Sequence, residues 1–171
     1  MGLFLSQGFE ATTVEDIGKA AGISRRSYFR YFGSKDEAFI EGLASFGDAI
    51  AETLTDRPPD ESPWLALRRA FDHLLEQAQV ATNPEALGRL MLERPTLQQG
   101  KDAVWQKQIA AALLPRLSGN KAEEALLSAH ALAAAAISCL HVAQAQWLAP
   151  EERRPLTALL DTAMAAVHPL S

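Results

Sequence analysis

Thr13-Val14-Glu15-Asp16-Ile17-Gly18-Lys19-Ala20-Ala21-Gly22-Ile23-Ser24-Arg25-Arg26-Ser27-Tyr28-Phe29-Arg30-Tyr31-Phe32 reads as helix, tight turn, helix. Thr13 is placed to cap the first helix: its hydroxyl can take an unpaired backbone N–H, and Asp16 stands three residues on. Val14, Ile17 and Ala20–Ala21 make one apolar face. Gly22 tolerates a left-handed turn, Ile23 can plug the space between the helices, and Ser24 can cap the second helix. In that second helix Tyr28 and Phe32 are four apart and can face inward. Arg25, Arg26, Ser27, Phe29 and Tyr31 are then left for an outer surface. Arginine forks onto guanine edges, hydroxyls reach phosphates and rings pack on thymine methyls, so this mixture suits a DNA major groove.

Outward from this motif the chain reads as helical throughout, rich in alanine and leucine, with no convincing alternating β-branched run. Ser34-Lys35-Asp36-Glu37 and Asn120-Lys121-Ala122-Glu123, the latter after Gly119, look like further capped starts, and Ser62-Pro63 and Asn83-Pro84 put a cap before a first-turn proline. Phe39, Leu43, Phe46 and Ile50 recur at helical spacing, as do Trp64, Leu67, Phe71, Leu74 and Ala78. Residues Thr55 to Glu61, with Pro58-Pro59, form the clearest linker, and about five helices are expected from Ser62 onward. The predicted class is all-α, with an N-terminal three-helix helix-turn-helix domain over 1–45 and a helical ligand-binding and dimerisation domain over 46–171.

The chain has 48% apolar and 22% charged residues, which predicts a globular fold rather than a disordered one. Its net charge of −5 does not advertise nucleic-acid binding, so any DNA contact must be local. Up to Lys35 there are five basic residues against three acidic, with the positives on and beside the Arg25–Phe32 helix. Asp36, Glu37, Glu41, Asp48 and Glu52 then turn the next helix acidic. This segregation predicts one DNA-facing surface with weak non-specific affinity.

The residues Gly8 to Ile17, Ala20 to Ser24 and Tyr28 to Lys35 together resemble the TetR/AcrR-family DNA-binding domain. The resemblance covers about the first 45 residues and implies a transcriptional regulator, usually a repressor, that binds a palindromic operator as a dimer and is released by a small molecule. It implies that Thr13 caps its helix near a phosphate, that Arg25, Arg26, Ser27, Phe29 and Tyr31 face DNA, and that Lys35 neutralises a phosphate. Phe29 stands where the family usually has tyrosine, and Gly33 where proline is common. The family's first helix normally begins about a dozen residues earlier, so only Leu3 to Gln7 of it are expected here.

For the second domain the resemblance implies a ligand-binding core and a homodimer through the last two helices. Lys121 to Trp147 carries little charge and is expected to be covered nearly all round. Its small residues Ala129, Ala133, Ala136 and Ala143 would let a helix approach closely, as in a four-helix contact between subunits. His130, Ile137, His141 and Gln144 share one face of this helix, read either as satisfied core polar groups or as ligand contacts. Trp64, Phe71, Met91 and Trp105, with Trp147, could wall a pocket for an apolar or aromatic effector.

No cofactor, metal or membrane partner is expected. The two histidines lie eleven residues apart, about 16 Å along a helix, too far to share an ion. The run Ala125 to Ala145 is interrupted by polar residues and reads as a buried helix. The lone Cys139 excludes an internal disulfide and fits a cytoplasmic setting. Catalytic signatures are absent: no nucleophile-elbow serine, phosphate-cradling glycine loop or clustered histidine–carboxylate set. The alternative is a dimeric helical protein that has lost DNA binding and serves as a partner or ligand sink.

Overall fold

A computed structural model describes residues 2–80, 84–117 and 121–170. Among these are ten α-helices, one short 3-10 turn and no strand. The helices are α1 (Gly2–Gln7), α2 (Val14–Ala20), α3 (Arg25–Tyr31), α4 (Lys35–Asp56), α5 (Pro63–Ala70), α6 (Asp72–Val80), α7 (Pro84–Glu93), α8 (Pro95–Leu113), α9 (Ala122–Trp147) and α10 (Leu156–Val167). The 3-10 turn, Leu114–Leu117, holds Pro115 just after α8. The expected cap at Asn83 and the expected stop and start at Gly119 and Asn120 lie outside the described residues.

Six helices, not five, come after Ser62. The apolar spacing from Trp64 to Leu74 predicts one helix, but the ladder tightens at Phe71, whose N–H turns to the Arg68 carbonyl (3.3 Å). The tighter turn accompanies a polar demand that spacing alone does not reveal. Arg68 is buried and pairs with Asp72 (2.5 Å) and with Asp161 of α10. The linker also begins later than expected, because α4 continues through Thr55 and Asp56, where the Thr55 hydroxyl bonds back to Ala51. Arg57, forced extended by the proline after it, ends the helix.

The boundary expected at residue 45 falls inside α4, which runs unbroken through two apolar clusters. The first joins Ile50 and Leu54 to Trp64, Phe71, Trp105 and Leu140. The second joins Phe4, Phe9, Phe39 and Leu43 to Met91 and Leu97, so the N-terminal helices share their core with α7 and α8. Phe39 meets Phe4 and Phe9 edge-on at 4.9 and 5.2 Å, the arrangement the ring quadrupole favours.

Helix α8 lies along α4 at unusually close range. A side chain at Gly47 would collide with Trp105 and Gln108, and one at Gly100 with Ile40. The bare backbone at Gly47 lets the Trp105 indole N–H reach the Leu43 carbonyl (2.9 Å), satisfying a polar group inside the core.

The alanines of α9 correct one expectation. Ala129, Ala133, Ala136 and Ala143 are buried in the chain's own core, beside α8 and α10, and are not offered to a second subunit. Within the single chain α9 is not covered all round: Leu126, Leu127 (73% exposed) and Val142 (64%) face outward. By length and composition α9 is apolar enough to cross a membrane, with a third of its most apolar window buried within the fold.

Candidate nucleic-acid interface

The α2–turn–α3 unit is built by reciprocal caps. Thr13 Oγ1 accepts from the Asp16 N–H (3.1 Å), and Asp16 accepts from both the Thr13 N–H (2.9 Å) and hydroxyl (2.7 Å). These bonds, helped by Lys19, hold the Asp16 carboxyl below the usual range. Gly22 adopts φ +67°, a left-handed turn that a side chain would resist. The Ile23 N–H then closes onto the Gly18 carbonyl (2.8 Å), and Ser24 Oγ caps α3 at the Ser27 N–H (3.1 Å).

Tyr28 fixes the rotation of α3. It is wholly buried, its hydroxyl donates to the Ser34 carbonyl (3.0 Å), and Phe32 packs against its ring at 5.2 Å. Burial, then the Glu37 charge, pushes the phenol pKa up, so it stays a donor. At 100° per residue this inward anchor turns Arg25, Arg26, Phe29 and Arg30 onto one exposed side. Phe29 is 48% exposed and Tyr31 60%, which is unusual for large rings in so short a helix. Arg25 pairs with Glu15 of α2 (2.5 Å) and lies 5.7 Å from the Phe29 ring. Arg30 covers the Tyr31 ring (5.0 Å) and bonds its hydroxyl (3.1 Å).

Arg30 is not among the expected contacts, although its place four residues after Arg26 puts it on the same side. Ser27 is half-buried, and its hydroxyl accepts from Ser24 (3.1 Å). Lys35 is also half-buried, its amine donating to the Phe9 carbonyl (2.8 Å) and lying 4.4 Å over the Phe9 ring. Gly33 gives its N–H to Glu37 (2.6 Å), a bond that proline could not make. The arrangement is a short capped helix presenting three guanidinium groups and two rings.

Residues 1–41 match the family model described as bacterial regulatory proteins, tetR family. This segment is similar to the tetR family. Its relatives include the HTH-type transcriptional regulator TcmR of Streptomyces glaucescens, 40% identical over 73 residues, 43% of this chain and 32% of that protein. They also include the putative mycofactocin biosynthesis transcriptional regulator MftR of Mycobacterium tuberculosis, 29% identical over 125 residues, 70% of this chain and 62% of that protein. The chain thus spans between a third and two thirds of the length of these curated relatives. The fold is also that of AlkX, a TetR-family repressor from Dietzia, with a TM-score of 0.61 and 22% identity over 94% of this chain and 87% of that one.

Outside the tetR segment, the residues expected to wall a pocket are divided. Trp64, Phe71 and Trp105 lie in the larger cluster, Met91 in the other. Trp64 donates to the Met164 and His168 carbonyls (3.2 and 3.1 Å), which fixes its ring against α10. A cleft of about 300 Å3 lies instead between α1, α4 and α7, lined by Phe4, Gln7, Phe39, Leu87 and Leu90. Cys139 is buried, which pushes its thiol pKa up.

The histidine face of α9 turns to α8. His141 Nε2 lies 3.1 Å from Asp102, while the His130 carbonyl accepts from Gln106 (3.2 Å). Gln144 is half-buried on the same helix. Lys101, which sequence reasoning missed, completes the group. Its buried amine sits 3.0 Å from Asp102, 3.4 Å from His141 Nε2 and 4.2 Å over the Trp105 ring. Burial lowers the Lys101 pKa against the pull of Asp102. Burial alone would raise Asp102, but the His141 hydrogen bond and the Lys101 charge together hold it low.

Proposed function

We propose that this chain is a transcriptional regulator of the tetR family, sequence-specific, that binds an inverted-repeat operator in double-stranded DNA as a homodimer. Residues 1–45 form the DNA-binding unit and residues 46–171 the regulatory one. The observation that carries the reading is the exposed side of α3, where Arg25, Arg26, Phe29 and Arg30 stand over the buried Tyr28 anchor. Arg25 and Arg26 are the base readers. Phe29 and Tyr31 pack on methyls and sugars, and Thr13, Ser27 and Lys35 lie on the phosphate flank.

The homodimer reading rests on the uncharged outer stripe of α9, Leu127, Ala131, Ser138, Val142 and Ala145, continued on α10 by Thr162, Ala165 and Ala166. Pairing two such faces hides the apolar side of α9 and sets two α3 helices about one DNA turn apart. The chain acts in the cytoplasm as a non-enzymatic repressor released by a small apolar or aromatic effector. The Lys101–Asp102–His141 group beside Trp105 supplies polar contacts for that effector between α8 and α9.

Fluorescence anisotropy on mixed-sequence duplex DNA tests the electrostatic part. Binding should be weak and fall steeply with salt, each neutralised phosphate adding about 0.9 to the logarithmic slope. Absence of binding at low salt, with the protein folded and dimeric, would favour a partner or ligand-sink protein instead.

A further inference from the structure

The α1–α2 turn is held from two sides through one ring. Phe9 is buried, stacked with Phe4 at 5.5 Å and set edge-on to Phe39. Lys35 of α4 lies 4.4 Å from its centroid, and the Arg94 guanidinium lies 4.7 Å from it. Arg94 sits at the corner between α7 and α8 and also pairs with Glu10 (2.9 Å), the residue after Phe9.

An ion pair this exposed contributes little by itself. A planar guanidinium held over a buried ring while bonding a neighbouring carboxylate, however, restricts both distance and angle. The pair also ties the turn to the α7–α8 corner, beside the shared cluster of Phe4, Phe9, Phe39, Met91 and Leu97. Apolar contact of that kind sets proximity but is non-directional.

We propose that Arg94 is a positioning residue for DNA recognition: laid over Phe9 and paired with Glu10, it fixes the angle at which α3 is presented, and so the half-site spacing the dimer accepts. The inference rests on the DNA-binding reading, and its test separates the two. Spin labels at Lys19→Cys and Ala111→Cys, in a Cys139→Ala background diluted with unlabelled chain, report the angle without DNA. Arg94→Ala should broaden the label distance distribution, and Arg94→Lys, which keeps the charge but not the planar guanidinium, should narrow it again only in part.

On the operator selected by the wild-type protein, inserting one base pair between half-sites should cost about tenfold in affinity, and Arg94→Ala should reduce that cost to under about threefold. A residue that only adds stability would leave this ratio unchanged. An unbroadened distribution in Arg94→Ala, or a broadened one with wild-type spacing discrimination, would overturn the proposal. If the wild-type protein selects no inverted repeat, the DNA reading and the spacing claim fall together, while the labels still decide whether Arg94 holds the angle.

Discussion

Arg25 and Arg26 differ from Lys35 in what surrounds them, and their expected effects differ accordingly. Both arginines are exposed on α3, whereas the Lys35 amine is tied to Phe9. Replacing either arginine by alanine should weaken specific binding by about 1–3 kcal/mol where the side chain reads a guanine, and relax preference at that base pair. Lys35→Ala should weaken all sequences alike and lower the salt slope by about one. Competition between operator and mixed-sequence DNA measures both. Equal losses on the two DNAs for the arginine variants would refute their role as base readers.

Elements made by local rules were legible in the sequence; those made by long-range demands were not. The caps at Thr13, Ser24, Ser34 and Ser62 all form, because each needs only a hydroxyl beside a first-turn N–H. Tyr28 faces inward as its spacing from Phe32 implies. The break at Phe71 was not legible: it lies beside Arg68, whose partner Asp161 comes from 93 residues away. The same holds for Lys101, an ordinary surface residue by type, whose partner His141 lies forty residues on.

The layer between α8 and α9 contributes to the pH dependence, alongside carboxylates such as Asp16 that are also held low. Asp102 is held below its ordinary value of 3.8 in the fold, so between the two values the unfolded chain binds more protons than the folded one. Its contribution is complete above about pH 4 and is lost as pH falls through the folded value. Urea midpoints measured against pH should drop at the acid end, and Asp102→Asn should flatten that drop while lowering stability at neutral pH. An unchanged acid limb in Asp102→Asn would show that the α8–α9 group does not contribute to it.

For the whole molecule the unsettled balance is between the chain's core and its outer apolar face. The alanines of α9 close the interior, which leaves Leu127 and Val142 outside, on the face that the proposed homodimer would cover. Leu127→Glu with Val142→Glu should shift the protein to monomer in sedimentation and make operator affinity depend more steeply on concentration. A double variant that stays dimeric would move the interface elsewhere. Because α4 runs through both clusters and is closely packed against α8 at Gly47 and Gly100, it is the element through which the proposed regulatory unit would act on α3. An effector acts through it only if it binds free and DNA-bound forms with different affinity.

The most direct measurement is selection of binders from random duplex DNA, with wild-type protein and with Arg25→Ala plus Arg26→Ala. A dimeric DNA reader predicts an enriched inverted repeat whose half-sites lie about one helical turn apart, lost in the double variant. No enrichment from folded, dimeric wild-type protein, or the same repeat from both proteins, would contradict the assignment of α3 as the recognition helix.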